Sequence, residues 1–234
     1  MMYQNENYEI SFNGDTGGNH GVFLYDIPDI TQAKHNYNSY SISGQEGELI
    51  VEDGSVSNIV VTCIFSVLSD DFRESIHDLK RWLTGKGKLQ FSESPDFYYD
   101  VLTIEHSGIE REIMRYGRFT ATFICYPYEF HESGDIETSN STIYNPYDLC
   151  RPIYRISGEG PCILTVNTKL MKANIGESLI IDTRKMMAYR DNGELKNTSV
   201  TGKYDDLWLP HGENNISISS GFTVSTIPHW GYKA

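Results

Sequence analysis

The residues of this chain best suited to chemistry are its seven histidines and four cysteines, and their spacing gives them little to do together. His20, His35, His77, His106, His131, His211 and His229 stand far apart, with no HExxH or His-x-His pair to set two imidazoles on one metal ion. His131-Glu132 has half of a zinc motif but falls in a polar stretch with no helix to present it. His77 lies on the flank of a helical pattern and reads as a surface residue. Cys63, Cys125, Cys150 and Cys162 are spaced too widely for a zinc knuckle or a CxxC redox pair. Cys63 and Cys125 sit inside apolar, strand-like runs, where reduced core thiols are expected.

Nucleophilic and phosphate-binding motifs are missing as well. There is no G-x-S-x-G elbow and no P-loop, and Gly158-Glu159-Gly160-Pro161 reads as a turn before a strand, not as a phosphate cradle opening a helix. Glu93 with Asp96, and Asp205 with Asp206, are of the type that glycoside hydrolysis needs. With 32 acidic residues in the chain such pairs arise by number alone, and both read as solvated turns. Three N-x-S/T triplets, at Asn140, Asn197 and Asn215, read as chance without a secretory signal. The expectation is a protein with no catalytic, metal or cofactor-binding residues. Aromatic side chains leave a second possibility open: Tyr98-Tyr99, Trp208 and Trp230 are candidates to stack on sugar rings, against the alternative of core or interface packing.

The elements that would carry these residues are mostly strands. Residues 8–12 alternate, turn at Asn13-Gly14-Asp15 and resume at 22–25. Residues 31–40 are polar and aromatic without a period, followed by the Gly44 and Gly47 turn, which suggests a loop or an arm reaching a neighbour. A nearly continuous apolar run at 59–68 reads as a central strand covered on both faces. Residues 70–83 form the one clear helix: Phe72, Ile76, Leu79 and Leu83 make a single stripe, Ser69 or Asp70 can cap it, and Gly85 can end it. Short strands are expected at 88–91, 98–105 and 118–125, the last with Phe119, Ala121, Phe123 and Cys125 on one face.

Beyond this, residues 132–143 are polar and aperiodic and read as a linker between a first domain, 1–131, and a second, 144–234. The second half shows only strand signals, at 153–157, 163–168, 178–183, 186–189, 195–197, 215–218 and 222–227. Asp191-Asn192-Gly193 is expected to turn a hairpin of type I′, and Ser219-Ser220-Gly221 another. Such spacing suggests a small antiparallel sandwich or jelly roll.

The bulk numbers agree. A chain of 234 residues, 12% aromatic, can bury about 70% of the surface its unfolded form exposes. The formal charge of -13 has the wrong sign for direct binding to nucleic acid or anionic lipid. No run of about 18 apolar residues and no signal-peptide pattern occurs, so the protein is expected to be made and kept in the cytosol, or to leave it by cell lysis.

The order of these landmarks resembles a known family. Phe12-Asn13-Gly14, the Gly44 to Gly47 turn, a helix ending in Arg81-Trp82-Leu83, Leu89-Gln90-Phe91-Ser92 before Asp96-Phe97-Tyr98-Tyr99, and Gly117-Arg118-Phe119 leading to Phe123-Ile124-Cys125-Tyr126-Pro127-Tyr128 follow one another. The second half adds Asn145-Pro146, Pro152, Val166-Asn167, Ile180-Ile181-Asp182 and Leu209-Pro210-His211-Gly212-Glu213-Asn214, where His211 interrupts a Pro-Gly-x-Asn segment. This succession, over about residues 8–230, is similar to the distal tail proteins of siphophages. The resemblance implies a mainly β chain: an N-terminal β-sandwich-like domain with one α-helix, and a C-terminal galectin-like sandwich. It also implies a homo-hexameric ring in the virion tail tip, joining the tail tube protein to tail-tip and receptor-binding or baseplate proteins, with no enzymatic activity. The alternative is a carbohydrate-binding module that grips a bacterial surface glycan through the C-terminal sandwich.

Overall fold

The computed structural model describes residues 8–113 and 116–234. The chain divides into two compact units, Met1–Glu129 with Lys233–Ala234, and Phe130–Tyr232. Each is built of antiparallel strands, giving a mainly β, sandwich-like fold. Among the described residues no helix is long and apolar enough to cross a membrane.

The first unit contains β1 (Ile10–Phe12), β2 (Asp15–Thr16), β3 (Val22–Leu24), β4 (Asp29–Ile30), β5 (His35–Ser41), β6 (Glu48–Val56), β7 (Ile59–Leu68), α1 (Phe72–Trp82), β8 (Gly87–Phe91), β9 (Phe97–Ile113) and most of β10 (Tyr116–His131). The main sheet runs β2-β1-β8-β9-β10-β7-β3, with β4 also on β7. Asn13 and Gly14 both take positive φ, 55° and 80°, so the expected first turn is a two-residue hairpin of type I′. Its partner strand is β2, however, and residues 22–24 pair instead with β7. Long-range bonds decide this: the Asn13 amide N–H donates to Lys88 O and the Asn13 side chain accepts from Lys88 N, both at 2.9 Å, which clamps the hairpin to β8.

Alternation along β7 buries Ile59, Val61, Cys63, Phe65 and Val67 completely. The intervening residues are only half-buried, so the strand expected to be covered on both faces is fully covered on one. Opposite it in register, Phe119, Ala121, Phe123 and Cys125 of β10 complete that face. The helix closes the core with Phe72, Ile76, Leu79 and, just past its end, Leu83. Leu79 and Leu83 are fully buried, a contribution of roughly 1.5–3 kcal/mol each. Its cap is Asp71, whose carboxylate accepts from Glu74 N at 3.1 Å, one position later than expected because Ser69 is used to accept from Asp71 N.

The second unit contains β11 (Thr142–Asn145), β12 (Ile153–Val166), β13 (Lys169–Asp182), β14 (Met187–Tyr189), β15 (Val200–Thr201), β16 (Gly212–Ile218) and β17 (Thr223–Ile227), and the chain closes with β18 (Gly231–Lys233). Its sheet runs β11-β16-β12-β13-β14, with β17 on β12 and β15 on β13. Residues 153–157 and 163–168, expected as separate strands, are one strand, and the glycines between them are not a turn. They are a corner: Gly158 and Gly160, at φ 149° and 96°, stay paired with β13 while β12 passes from β17 (Ile153–Ser157) to β16 (Leu164–Val166).

The Asp191-Asn192-Gly193 turn is present with different geometry. Only Gly193 has positive φ, and Arg190 N donates to Glu194 O at 3.0 Å. That is a three-residue loop with glycine in the left-handed position. Residues 195–197 make a single bridge, Tyr189 to Leu195, and then a 3-10 turn, Asn197–Ser199, instead of a strand. Residues 132–143, expected as a linker, fall within the second unit. They form a 3-10 turn at Glu132–Asp135, a bridge from Thr138 to Thr226, and the start of β11. Short-range polarity hid this, because the ordering comes from partners about 90 residues away.

Candidate interaction surface

Most of the histidines bond to a nearby side chain or backbone group. His20 lies between two carboxylates, Nδ1 to Asp78 Oδ2 at 2.7 Å and Nε2 to Asp15 Oδ2 at 2.9 Å, with its ring stacked on Trp82 at 4.5 Å. Burial opposes the imidazolium charge, but the bonds to Asp78 and Asp15 outweigh it and raise the His20 pKa. Asn19 and His20 hold the Asp15 carboxyl below its ordinary range. His131 accepts from Ser133 N at 3.1 Å, His211 lies 3.1 Å from Tyr147 O, and His229 lies 2.8 Å from Asp135. His35 is exposed and accepts from the Lys233 ammonium, while His77 is exposed on α1. Among the described residues no group of three or more His, Cys, Asp or Glu is placed to hold a metal ion.

The remaining sequence candidates are spread through both units. Glu93 and Asp96 are exposed in the turn before β9; Asp205 and Asp206 lie in a 3-10 turn, Tyr204–Leu207, with Asp206 at 3.7 Å from Lys169. Cys63, Cys125, Cys150 and Cys162 are all free and buried, and burial pushes the Cys125 and Cys150 thiols up to about 12. Such thiols are inert at neutral pH.

Each of the four aromatic candidates is at least partly packed against other residues. Tyr98 and Tyr99 are buried, Tyr99 donating to Glu129 Oε1 at 3.2 Å. Trp230 packs on the core of the second unit and donates to Ser133 Oγ at 3.0 Å. Trp208 is half-buried, with the Arg151 guanidinium 4.7 Å above its ring.

The feature that sequence reasoning underrated is the ribbon made by β5 and β6. Among the described residues they pair only with each other, and every residue from 34 to 55 is exposed. Register sorts their side chains: Tyr40 faces Leu49 and Asn38 faces Val51, while Ser41 faces Glu48 and Tyr37 faces Glu52. One face therefore carries Tyr40, Leu49 and Val51, while the other mixes Tyr37 and Ile50, which lies opposite Ser39, with Glu48 and Glu52. Further large apolar side chains are exposed nearby in sequence and at the end of β7: Phe23, Ile27 and Leu68 are each at least 64% accessible. A two-stranded hairpin gains little stability by itself in water, and an unpaired ribbon edge invites another chain. The available signal was the apolar run Leu49-Ile50-Val51 after the Gly44 and Gly47 turn.

No protein-family model matches the sequence, and no curated protein matches it. Among solved structures the fold is similar to that of the SPP1 Dit protein, described as a paradigm of the hub adsorption apparatus in phages that infect Gram-positive bacteria. The two share 14% sequence identity, with a TM-score of 0.62 over 94% of this chain and 97% of the other.

Proposed function

We propose that this chain is a structural component of the distal tail of a siphophage, a hub that self-assembles into a ring. The ring joins the tail tube protein to the tail-tip and receptor-binding or baseplate proteins at the virion tail tip. The observation that carries this reading is the ribbon of β5 and β6, ordered yet uncovered, with Tyr40, Leu49 and Val51 on one face. Ring closure requires a heterologous contact in which one patch meets a different patch on the next copy, and a projecting ribbon supplies it. The fold likeness to a phage hub protein over nearly the whole length of both chains supports the same reading, as does the ordered set of landmarks in the sequence. The first domain is the ring-former in this proposal, and the second is a galectin-like sandwich.

Light scattering on the size-excluded full chain, followed by negative-stain imaging, tests it. The expected result is a hexamer with six-fold rings, reduced to monomer by Leu49→Asp with Tyr40→Asp, whose folded spectrum is unchanged because both sites are exposed. A monomer at every concentration, or an oligomer indifferent to these substitutions, counts against it.

A further inference from the structure

The second unit carries a cleft of about 460 Å³ on the outer face of β12, β13 and β15, within the range of about 300–1,000 Å³ typical of small-molecule sites. Register explains it. Ile163 opposes Lys172, Pro161 opposes Asn174 and Lys172 opposes Thr201, so alternation turns these side chains outward while Cys162 and Ala173 close the floor. Thr198 and Ser199 from the 3-10 turn and Ser219 after β16 complete the lining.

Two properties set this cleft apart. No acidic residue lines it, although the chain holds 32 acids against 19 bases. Its polar side chains are also uncommitted. Lys172 forms no ion pair among the described residues, the side chains of Asn174, Thr198, Ser199 and Thr201 make no hydrogen bonds there, and Ser219 Oγ accepts from Ile163 N at 2.9 Å with its own proton free. Another cleft of the same unit, of about 250 Å³, is the opposite case. There Arg155 is held by Asp191 at 3.3 Å and Glu137 at 3.8 Å, and Ser178 and Ser225 donate to those same carboxylates. Its charged groups satisfy one another, although the hydroxyls of Ser139, Ser157 and Thr223 in its lining make no hydrogen bond among the described residues.

Free hydroxyls and an amide suit a polyhydroxylated molecule, a lone ammonium suits an anion, and Pro161 with Ile163 provides an apolar wall for a ring. We propose that this cleft binds a negatively charged sugar, its acid group on Lys172 and its hydroxyls on Asn174, Thr198, Thr201 and Ser219. The inference is independent of the hub reading, since it is tested by ligand binding and not by assembly.

Titration of the full chain by NMR with glucose 6-phosphate, glucuronic acid, glucose and inorganic phosphate tests it. A charged sugar should bind about tenfold or more tightly than glucose or inorganic phosphate, as a charge-assisted bond added to several neutral ones implies. Lys172→Gln should weaken that binding by about tenfold, Lys172→Arg should keep most of it, and Ser178→Ala in the self-satisfied cleft should change nothing. Equal binding of glucose, equal binding of inorganic phosphate, no binding of either charged sugar, or indifference to Lys172→Gln in a protein with unchanged circular dichroism would each overturn it.

Discussion

His20 shows how a residue type associated with catalysis becomes a fastener. Both ring nitrogens face carboxylate oxygens, of Asp78 and Asp15, and both can donate only as imidazolium. A folded-state pKa above the unfolded value of about 6.5 gives stability that is complete below that value and is lost as pH rises through the folded one. The depressed Asp15 pKa works from the other side, contributing above the ordinary carboxylate range and fading as acid protonates it. The clamp is therefore strongest in mildly acid solution, between roughly pH 4 and 6.5. Urea midpoints taken from pH 5 to pH 9 should fall through the His20 titration in the parent chain and flatten in His20→Phe, which keeps the stack on Trp82. Parallel profiles in the two proteins would show that the clamp is neutral.

At the scale of elements, the bend in β12 carries the clearest energetic statement. A Cβ on Gly158 would stand 2.3 Å from the Phe222 ring, at a φ of 149°, whereas one on Gly160, at 96°, meets nothing within 4 Å. Gly158→Ala thus combines backbone strain with a clash and should cost about 2–4 kcal/mol, against about 1–2 kcal/mol of strain alone for Gly160→Ala. Chemical denaturation of the two variants compares them directly; equal losses would mean that Phe222 moves aside freely. The same contrast explains why Gly158-Glu159-Gly160-Pro161 misleads as a sequence. Glycine marks unusual backbone, but a turn and a bend in a continuous strand both need it.

For the whole molecule, charge matters more than any site. An excess of 13 acidic over basic charges per chain disfavours contact with phosphates, and the ring proposed above would multiply that bias, as a passage for DNA would require. Assembled protein should retain no duplex DNA on a filter at low salt, where electrostatic attraction is least screened. Tight retention abolished by added salt would show a basic inner surface and contradict this view of the charge.

Most of the element list was legible because the relevant forces are local. The stripe Phe72, Ile76, Leu79 and Leu83, the alternation from Phe119 to Cys125 and the Asn13-Gly14 turn each express a period or a backbone preference contained in a few residues. Their partners were not legible. That β2, not residues 22–24, answers β1, that residues 132–143 belong to the second unit, and that Tyr98, Tyr99 and Trp230 are occupied all depend on residues tens of positions away. A period tells which face of a strand is apolar without telling what covers it. The ribbon of β5 and β6 is the sharpest instance: residues 31–40 show no period and read as a loop or arm, and only the tertiary structure pairs β5 with β6 and leaves both faces of the ribbon to solvent.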